Sequence, residues 1–562
     1  MNRYWNGIAV FFVAAVIAVT PLVGQPTGEW IEVHAPSISV LTDAGVERGA
    51  EIAAQLEHFR AVFAQLAPEL DLHAPVPLTI IAFRNNESFS PYKAGRAGRG
   101  TALLGQLVAH PDGHFLTTNA DPGVVDALDV LFHEYTHHLV RTNLPEVPLW
   151  LNEGLAEYYS TFATDGESVR LGEPVERHIK WLKQYGVPDL DALLRARQGV
   201  LGGNHGPREV GAFYAGSWLL AYHLLADDER LARTADYLLA VVGGEDPVTA
   251  FEDAMGERLG RIEEELADRV AADQFPTASI PLERLPTVAV EIHAARPADV
   301  LTTLGELCAL FGRIDQAERH HMRALELDPQ HAEAHAGVAR LAELAQDHQR
   351  ARLLYGDAVA LPGASARTYL RAGRHWLRTL ELSGGGVTVS VRPSGRGQAR
   401  TAQMQEIDRQ ADGARKLLRR GMSLDPGFAE IEAVFGLSHR FGDADPRDGL
   451  APLGRAIDRL AQRLDLVVAK LYLFLRAGEI RAAENVLETS IVSRADDQLV
   501  LDLRDEIERW ALLHAAQEAF DDGAYEDGLM YFDQAVSATR DPVLREAMEA
   551  QLRHLQDALG GR

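Results

Sequence analysis

The regular recurrence of small residues constrains this chain more than any other feature. Ala317, His321 and Ala324 lie in "GRIDQAERHHMRALELDP", and adding 34 carries them to Ala351, Tyr355 and Ala358. Small residues recurring at that interval mark paired helices that pack closely and stack on the next pair. Weaker copies follow. Ala414 to Pro426 repeats the twelve-residue offset of Ala317 to Pro329, and Gly478 and Gly523 are each followed five residues later by a small residue. The single cysteine, Cys308, falls inside the first copy, where a free thiol serves as a small buried hydrophobe.

This register resembles the tetratricopeptide repeat: Leu304, Gly305, Gly312, Ala317, Ala324 and Pro329 fall at that family's positions. The resemblance implies an all-α tetratricopeptide-repeat solenoid over residues 290–562 and a protein partner bound through the repeats. An insertion at 383–400, "SGGGVTVSVRPSGRGQAR", interrupts it. Its glycines read as a surface excursion between helices, with a partner-binding hairpin as the sharper alternative.

Upstream of the repeats the pattern is mixed. "WIEVHAPSISVL" and "PLTIIAF" are β-branched runs of strand length, and "GVERGAEIAAQLEHFRAVFAQL" between them has the apolar spacing of an amphipathic helix. "LLGQLVAHPDGHFLTTN" predicts two strands joined at Pro111, Asp112 and Gly113. A helix is expected from Asp126 to Thr142, and after Pro145 and Pro148 a second begins near Trp150. Further helices are expected through "FYAGSWLLAYHLLA" and "GRIEEELADRVAAD". Prolines near 275–290 then mark a boundary, so residues 25–280 form one α+β domain.

The Asp126–Thr142 helix contains "HEYTH". Residues four apart share one helix face, so His133 and His137 can aim at one metal ion. Glu134, about 100° around the helix, reaches a metal-bound water instead. With one cysteine, the remaining ligand must be histidine or carboxylate. Glu153, sixteen residues after His137, can be presented by the second helix if the prolines permit a sharp reversal. The competing reading is an ordinary helix whose histidines satisfy local hydrogen bonds. The apolar neighbours Leu131, Phe132, Leu139 and Val140 oppose it, because burying these polar groups without purpose is costly. His138 points away from His137 and is read as structural.

HExxH followed by "WLNEGLAEYY" resembles the gluzincin metallopeptidases, nearest to peptidase MA-like proteins of the DUF1570 kind. The resemblance spans roughly Trp30 to Ala272 and implies a zincin-like metallopeptidase domain. Position by position it implies His133, His137 and Glu153 as Zn2+ ligands and Glu134 as general base. The interval from His137 to Glu153 is a few residues shorter than in the aminopeptidase and thermolysin branches, so no branch-specific pocket is carried over. Glu157, one turn beyond Glu153, could orient a ligating histidine or be a solvated carboxylate. The interval from Glu153 to Tyr214 is comparable to the one that leads to the oxyanion-stabilising tyrosine of related aminopeptidases. The alternative for Tyr214 is a buried packing residue, and His205 and His223 are weaker candidates for the same role. The strand before the motif helix is expected, by analogy, to pair with an extended substrate.

Residues 1–24 have the layout of a secretory signal peptide: Arg3 precedes an apolar run from Gly7 to about Val23, with Pro21 near its end. An uncleaved membrane anchor is the alternative, and either places the remainder outside the cytoplasm: periplasmic, secreted or anchored on the outer face of the cytoplasmic membrane. Acidic residues exceed basic ones by 81 − 55 = 26, a surface that repels phosphate backbones and argues against nucleic-acid partners. The expectation is an exported zinc peptidase acting on a protein or peptide substrate, its repeats recruiting substrates or partner proteins. The alternatives are a non-catalytic repeat scaffold with a peptidase-like domain, and a hydrolase acting on a non-peptide substrate by the same zinc–water chemistry.

Overall fold

The computed structural model describes residues 29–94, 104–382 and 402–560, apart from 122, 124–126, 145–146, 198–205, 227, 462, 493–494 and 496. The expected signal segment 1–24, the insertion 383–400 and His205 lie outside the described residues. Among the described residues no helix is long and apolar enough to cross a membrane.

Six strands form the main sheet: β1 (Ile31–His34), β2 (Ser39–Thr42), β3 (Leu78–Phe83), β4 (Gly105–Val108), β5 (His114–Asn119) and, far along the chain, the strand Glu291–Ala294. Their order is β4-β5-β3-β2-β1 and then the late strand, with β2-β3 and β3-β5 parallel and the other pairs antiparallel. Successive strand residues face opposite sides, and from Ile80 to Phe83 "LTIIAF" is apolar on both. Ile80 and Ala82 enter a core with Phe59 and Phe63 of helix α1 (Val46–Leu66). Ile81 and Phe83 enter a second core with Val300, Leu304, Leu307 and Cys308. The first helix of the repeat region thus covers one face of the sheet.

The motif helix α2 (Ala127–Asn143) follows β5, and α3 (Leu149–Ser160) packs against it. Next come β6 (Ala163–Thr164), β7 (Ser168–Leu171) and helices α4 (Glu176–Tyr185), α5 (Pro207–Leu224), α6 (Asp228–Val242), α7 (Pro247–Met255) and α8 (Leu259–Ala272). Strand pairing continues through and beyond the 275–290 stretch where the prolines mark a boundary. Strand β8 (Ala278–Pro281) pairs with β7, and β9, the late strand Glu291–Ala294, pairs with β1. Pairing between strands at opposite ends of a unit has no local sequence signature, so proline spacing does not reveal it.

From Pro297 the described residues are mostly helical, the helices packing in pairs. The first are α9 (Pro297–Leu310) with α10 (Ile314–Leu327), α11 (Ala332–Leu344) with α12 (His348–Ala360), and α13 (Ala366–Leu382) with α14 (Ala402–Leu424). Then α15 (Ala429–Leu437) pairs with α16 (Arg447–Arg459), and further helices continue to Gly560. Ala317, Ala351, Ala324 and Ala358, the residues that carry the period, are fully buried where the helices meet. Gly312, Gly478 and Gly523 each turn the chain between paired helices at positive φ (69°, 77° and 79°), a conformation open to glycine. The protein is therefore mostly helical: an α+β unit built on a small sheet, continuous with an all-α helical-repeat array.

Candidate metal centre

The motif helix is anchored through its apolar face. Leu131, Phe132, Tyr135 and Leu139 are buried, and Phe132 stacks on Phe59 with ring centroids 5.0 Å apart. That leaves His133, Glu134 and His137 on the side facing α3 and β4. Helix α3 begins directly after Pro148 and reverses direction to pack along the motif helix. Its position is set by Gly154: a Cβ there would lie 2.4 Å from the Ser217 carbonyl oxygen and 2.8 Å from the Ala221 Cβ, both on α5. The glycine lets α3 and α5 meet at backbone distance, holding the adjacent Glu153 under the two histidines.

Three donor atoms converge. The His133 and His137 Nε2 atoms are 3.1 Å apart, and Glu153 Oε2 lies 3.7 Å from each. Ligands about 2.0–2.1 Å from a tetrahedral ion are roughly 3.3–3.4 Å from one another, and the edges of this triangle fall within about 0.4 Å of that length. Among the described residues this is the one group of three or more histidine, cysteine or carboxylate side chains that could hold a metal. The chemistry of the set also fits a cation. Glu153 is buried, and among the described residues its ion-pair partners are the two histidines, with no arginine or lysine. Burial, then the charges of Glu134 and Glu157, raise its pKa to about 8. Burial lowers both imidazoles, His137 to about 3 with the help of neighbouring His133, so their ring nitrogens keep free lone pairs.

Glu134 lines an open cleft of about 1060 Å³ together with His137, Glu153, Leu107 and Ala109. Burial raises its pKa to about 7, opposed by a hydrogen bond from the Leu107 backbone. Strand β4 comes this close because position 105 is glycine: a Cβ there would be 2.4 Å from Val130 and 3.3 Å from the Glu134 side chain. Among the described residues β4 is also an edge strand, paired on one side with β5.

Glu157 is buried behind the triangle. Its Oε1 is 3.8 Å from His133 Nδ1, an ion-pair rather than hydrogen-bond distance, and its Oε2 is 3.1 Å from His178 Nε2. Arg177 also donates to it. Burial pushes its pKa up, but His178, His133 and Arg177 outweigh that and hold it at about 2. Arg177 and His178, on α4, carry no motif that sequence reasoning can find; only the fold brings them to Glu157. The solvated-carboxylate alternative does not describe this group.

Tyr214 does not line the Glu134 cleft. It borders a neighbouring cavity of about 390 Å³ with Glu157, Arg177 and His178. Burial, then the charges of Glu153, Glu157 and Glu134, raise its pKa, which keeps the phenol protonated. His223 is buried beside Arg230, and His138 is buried with its Nδ1 3.0 Å from that of His114 on β5, so neither enters the triangle. Cys308 is buried in the first repeat and burial pushes its thiol up to about 12.

No family model matches the chain. No curated protein matches it either. Among the solved structures that overlap it are tetratricopeptide-repeat proteins and pilus proteins. YrrB, a TPR protein with an unusual peptide-binding site, is 14% identical and overlaps 37% of this chain and 91% of its own, with a TM-score of 0.28. Pseudomonas aeruginosa pilF is 15% identical over 45% of this chain and 97% of its own, with a TM-score of 0.28. PilW, a type IV pilus biogenesis factor, is 14% identical over 43% and 94%, with a TM-score of 0.26. Overlap this loose carries no argument about what the chain does. The helical repeats rest on the recurring buried alanines and the paired helices.

Proposed function

We propose that this chain is an exported zinc-dependent peptidase whose centre is His133, His137 and Glu153, with Glu134 as general base. The observation that carries the reading is the donor triangle opening into a cleft beside Glu134 and an edge strand. Zinc held by such a set supplies a Lewis acid and activates water at neutral pH. Glu134 then takes a proton from the attacking water and delivers it to the leaving amine. β4 offers main-chain groups to an extended substrate beside the site. Glu157, held ionised by Arg177 and His178, faces the Nδ1 side of His133 and orients it. Tyr214 stays protonated but borders the cavity on the Glu157 side rather than the cleft, so the donor to the developing oxyanion is not assigned to it. Export belongs to this reading through the apolar N-terminal run.

The helical repeats favour a second reading, a protein-binding scaffold in which the first unit catalyses nothing. Measuring bound zinc and casein or peptide cleavage in the wild type and in Glu134→Gln separates the two. Retained zinc with cleavage reduced about 10²–10⁴-fold is expected for a general base. Wild-type protein purified without chelators that carries no zinc, or cleavage unchanged in the variant, overturns the peptidase reading.

A further inference from the structure

The turn between β4 and β5 is held by the repeat region. The Asp112 carboxylate accepts a hydrogen bond from Arg371 Nε at 2.7 Å and another from Arg374, and its backbone carbonyl accepts one from Arg367 Nε at 2.9 Å. Arg371 also forms a bidentate pair with Glu306, both bonds 2.7 Å, and Arg340 donates to Glu306 at 2.9 Å. Arg374 reaches on to Glu430 at 2.9 Å, and Arg463 joins the same carboxylate at 3.0 Å. Asp112, Glu306, Arg371 and Glu430 are all buried.

Glu306, Arg340 and Arg374 recur at the interval of the alanines, so they hold one register position in three consecutive pairs. Each lies on the first helix of its pair, α9, α11 and α13, and Glu430 lies on the first helix of the next, α15. Equivalent positions of an array form one continuous face. Here that face is occupied by a loop of the same chain. Gly113 is fitted to it as well: a Cβ there would lie 2.7 Å from Arg367 Nη2 and 3.0 Å from the Pro77 carbonyl oxygen.

The consequence for the cleft follows from connectivity. β4 is four residues long and at the sheet edge, and such strands fray unless anchored. One end meets the motif helix at Gly105, against Val130 and Glu134. The other end runs within four residues into Asp112. We propose that Asp112, Arg371 and Glu306 are positioning residues that clamp the β4–β5 turn to the repeats and thereby set β4 beside Glu134. On this account the first face of the repeat array is a brace for the cleft rather than a recruiting groove. The catalytic consequence rests on the peptidase reading, whereas the clamping of β4 does not.

The test uses the full chain carrying Asp112→Asn or, separately, Arg371→Lys, which keeps its charge but cannot bridge Asp112 and Glu306 in the same planar fork. Amide hydrogen exchange is followed in 105–108, with 78–83 of β3 as internal reference, and bound zinc is counted. Exchange in β4 is expected to rise about tenfold or more while β3 is unchanged. If the peptidase reading holds, KM for an extended peptide rises in the variants, with little change in kcat on a short substrate that does not reach β4. Unchanged exchange in β4, or a rise of equal size in β3, overturns the clamp. Should either variant fail to fold, Arg367→Met, which loses the bond to the Asp112 carbonyl, is read in the same way. A wild type that cleaves nothing defeats the peptidase reading and leaves the exchange measurement to decide the clamp.

Discussion

His133 and His137 present their Nε2 atoms to each other at 3.1 Å, with the Glu153 carboxylate closing the triangle. On the proposed reading such a set binds a cation only in the folded chain, which links metal and fold thermodynamically. Zinc at 100 times its Kd is expected to stabilise the metal-free protein by about 2.7 kcal/mol. Scanning calorimetry with and without zinc should show the Tm rise, and His137→Ala should abolish it.

Glu157 faces the non-ligating nitrogen of His133, and Arg177 and His178 keep it charged. On the proposed reading, Glu157→Ala removes the group that orients the ring. Zinc affinity is expected to fall roughly 10–100-fold, measured by competition with a chromophoric chelator, with the far-ultraviolet circular dichroism unchanged.

Gly154 separates α3 from α5 by no more than backbone contact. Gly154→Ala forces the two helices apart against the Ser217 carbonyl. Overpacking of this kind costs about 1–3 kcal/mol. Urea unfolding should show the lost stability, and zinc binding should weaken with it because Glu153 moves with its helix.

The buried carboxylates of Asp112 and Glu306 make stability depend on pH. Burial raises both pKa values, but the arginines around them prevail and hold each below its ordinary value of 3.8 or 4.5. A carboxylate whose folded pKa is depressed contributes stability that is complete above its unfolded pKa and is lost as pH falls toward the folded one. Tm measured from pH 7 downward should therefore begin to drop near pH 4.5 and continue falling below 3.8. Asp112→Asn should lower Tm at pH 7 and flatten the acid limb, so that variant and wild type converge at low pH.

Local patterns are legible in the sequence because their geometry is local. The i, i+4 spacing of His133 and His137 puts them on one helix face. The regular recurrence of buried alanines gives the helix pairs, and doubly apolar "LTIIAF" gives a strand buried on both sides. Glu153 is legible as a candidate third donor because the prolines after the motif helix permit a reversal.

The tertiary structure decided what lies across the chain. It brought Arg177 and His178 to Glu157, made Gly105 and Gly154 the points of closest approach, and returned 291–294 to pair with β1. It moved Tyr214 to the Glu157 side of the centre and turned Glu306, Arg340 and Arg374 onto Asp112 through the paired arginines. The last case shows the limit most plainly. The sequence contains the regular spacing of those three residues, so it determines that they share a face. What the face touches depends on how the sheet docks onto the first repeat helix, an apolar contact between β3 and α9, which are distant in the chain. Periodicity fixes a residue's direction within its own element, and only packing between distant elements fixes its partner.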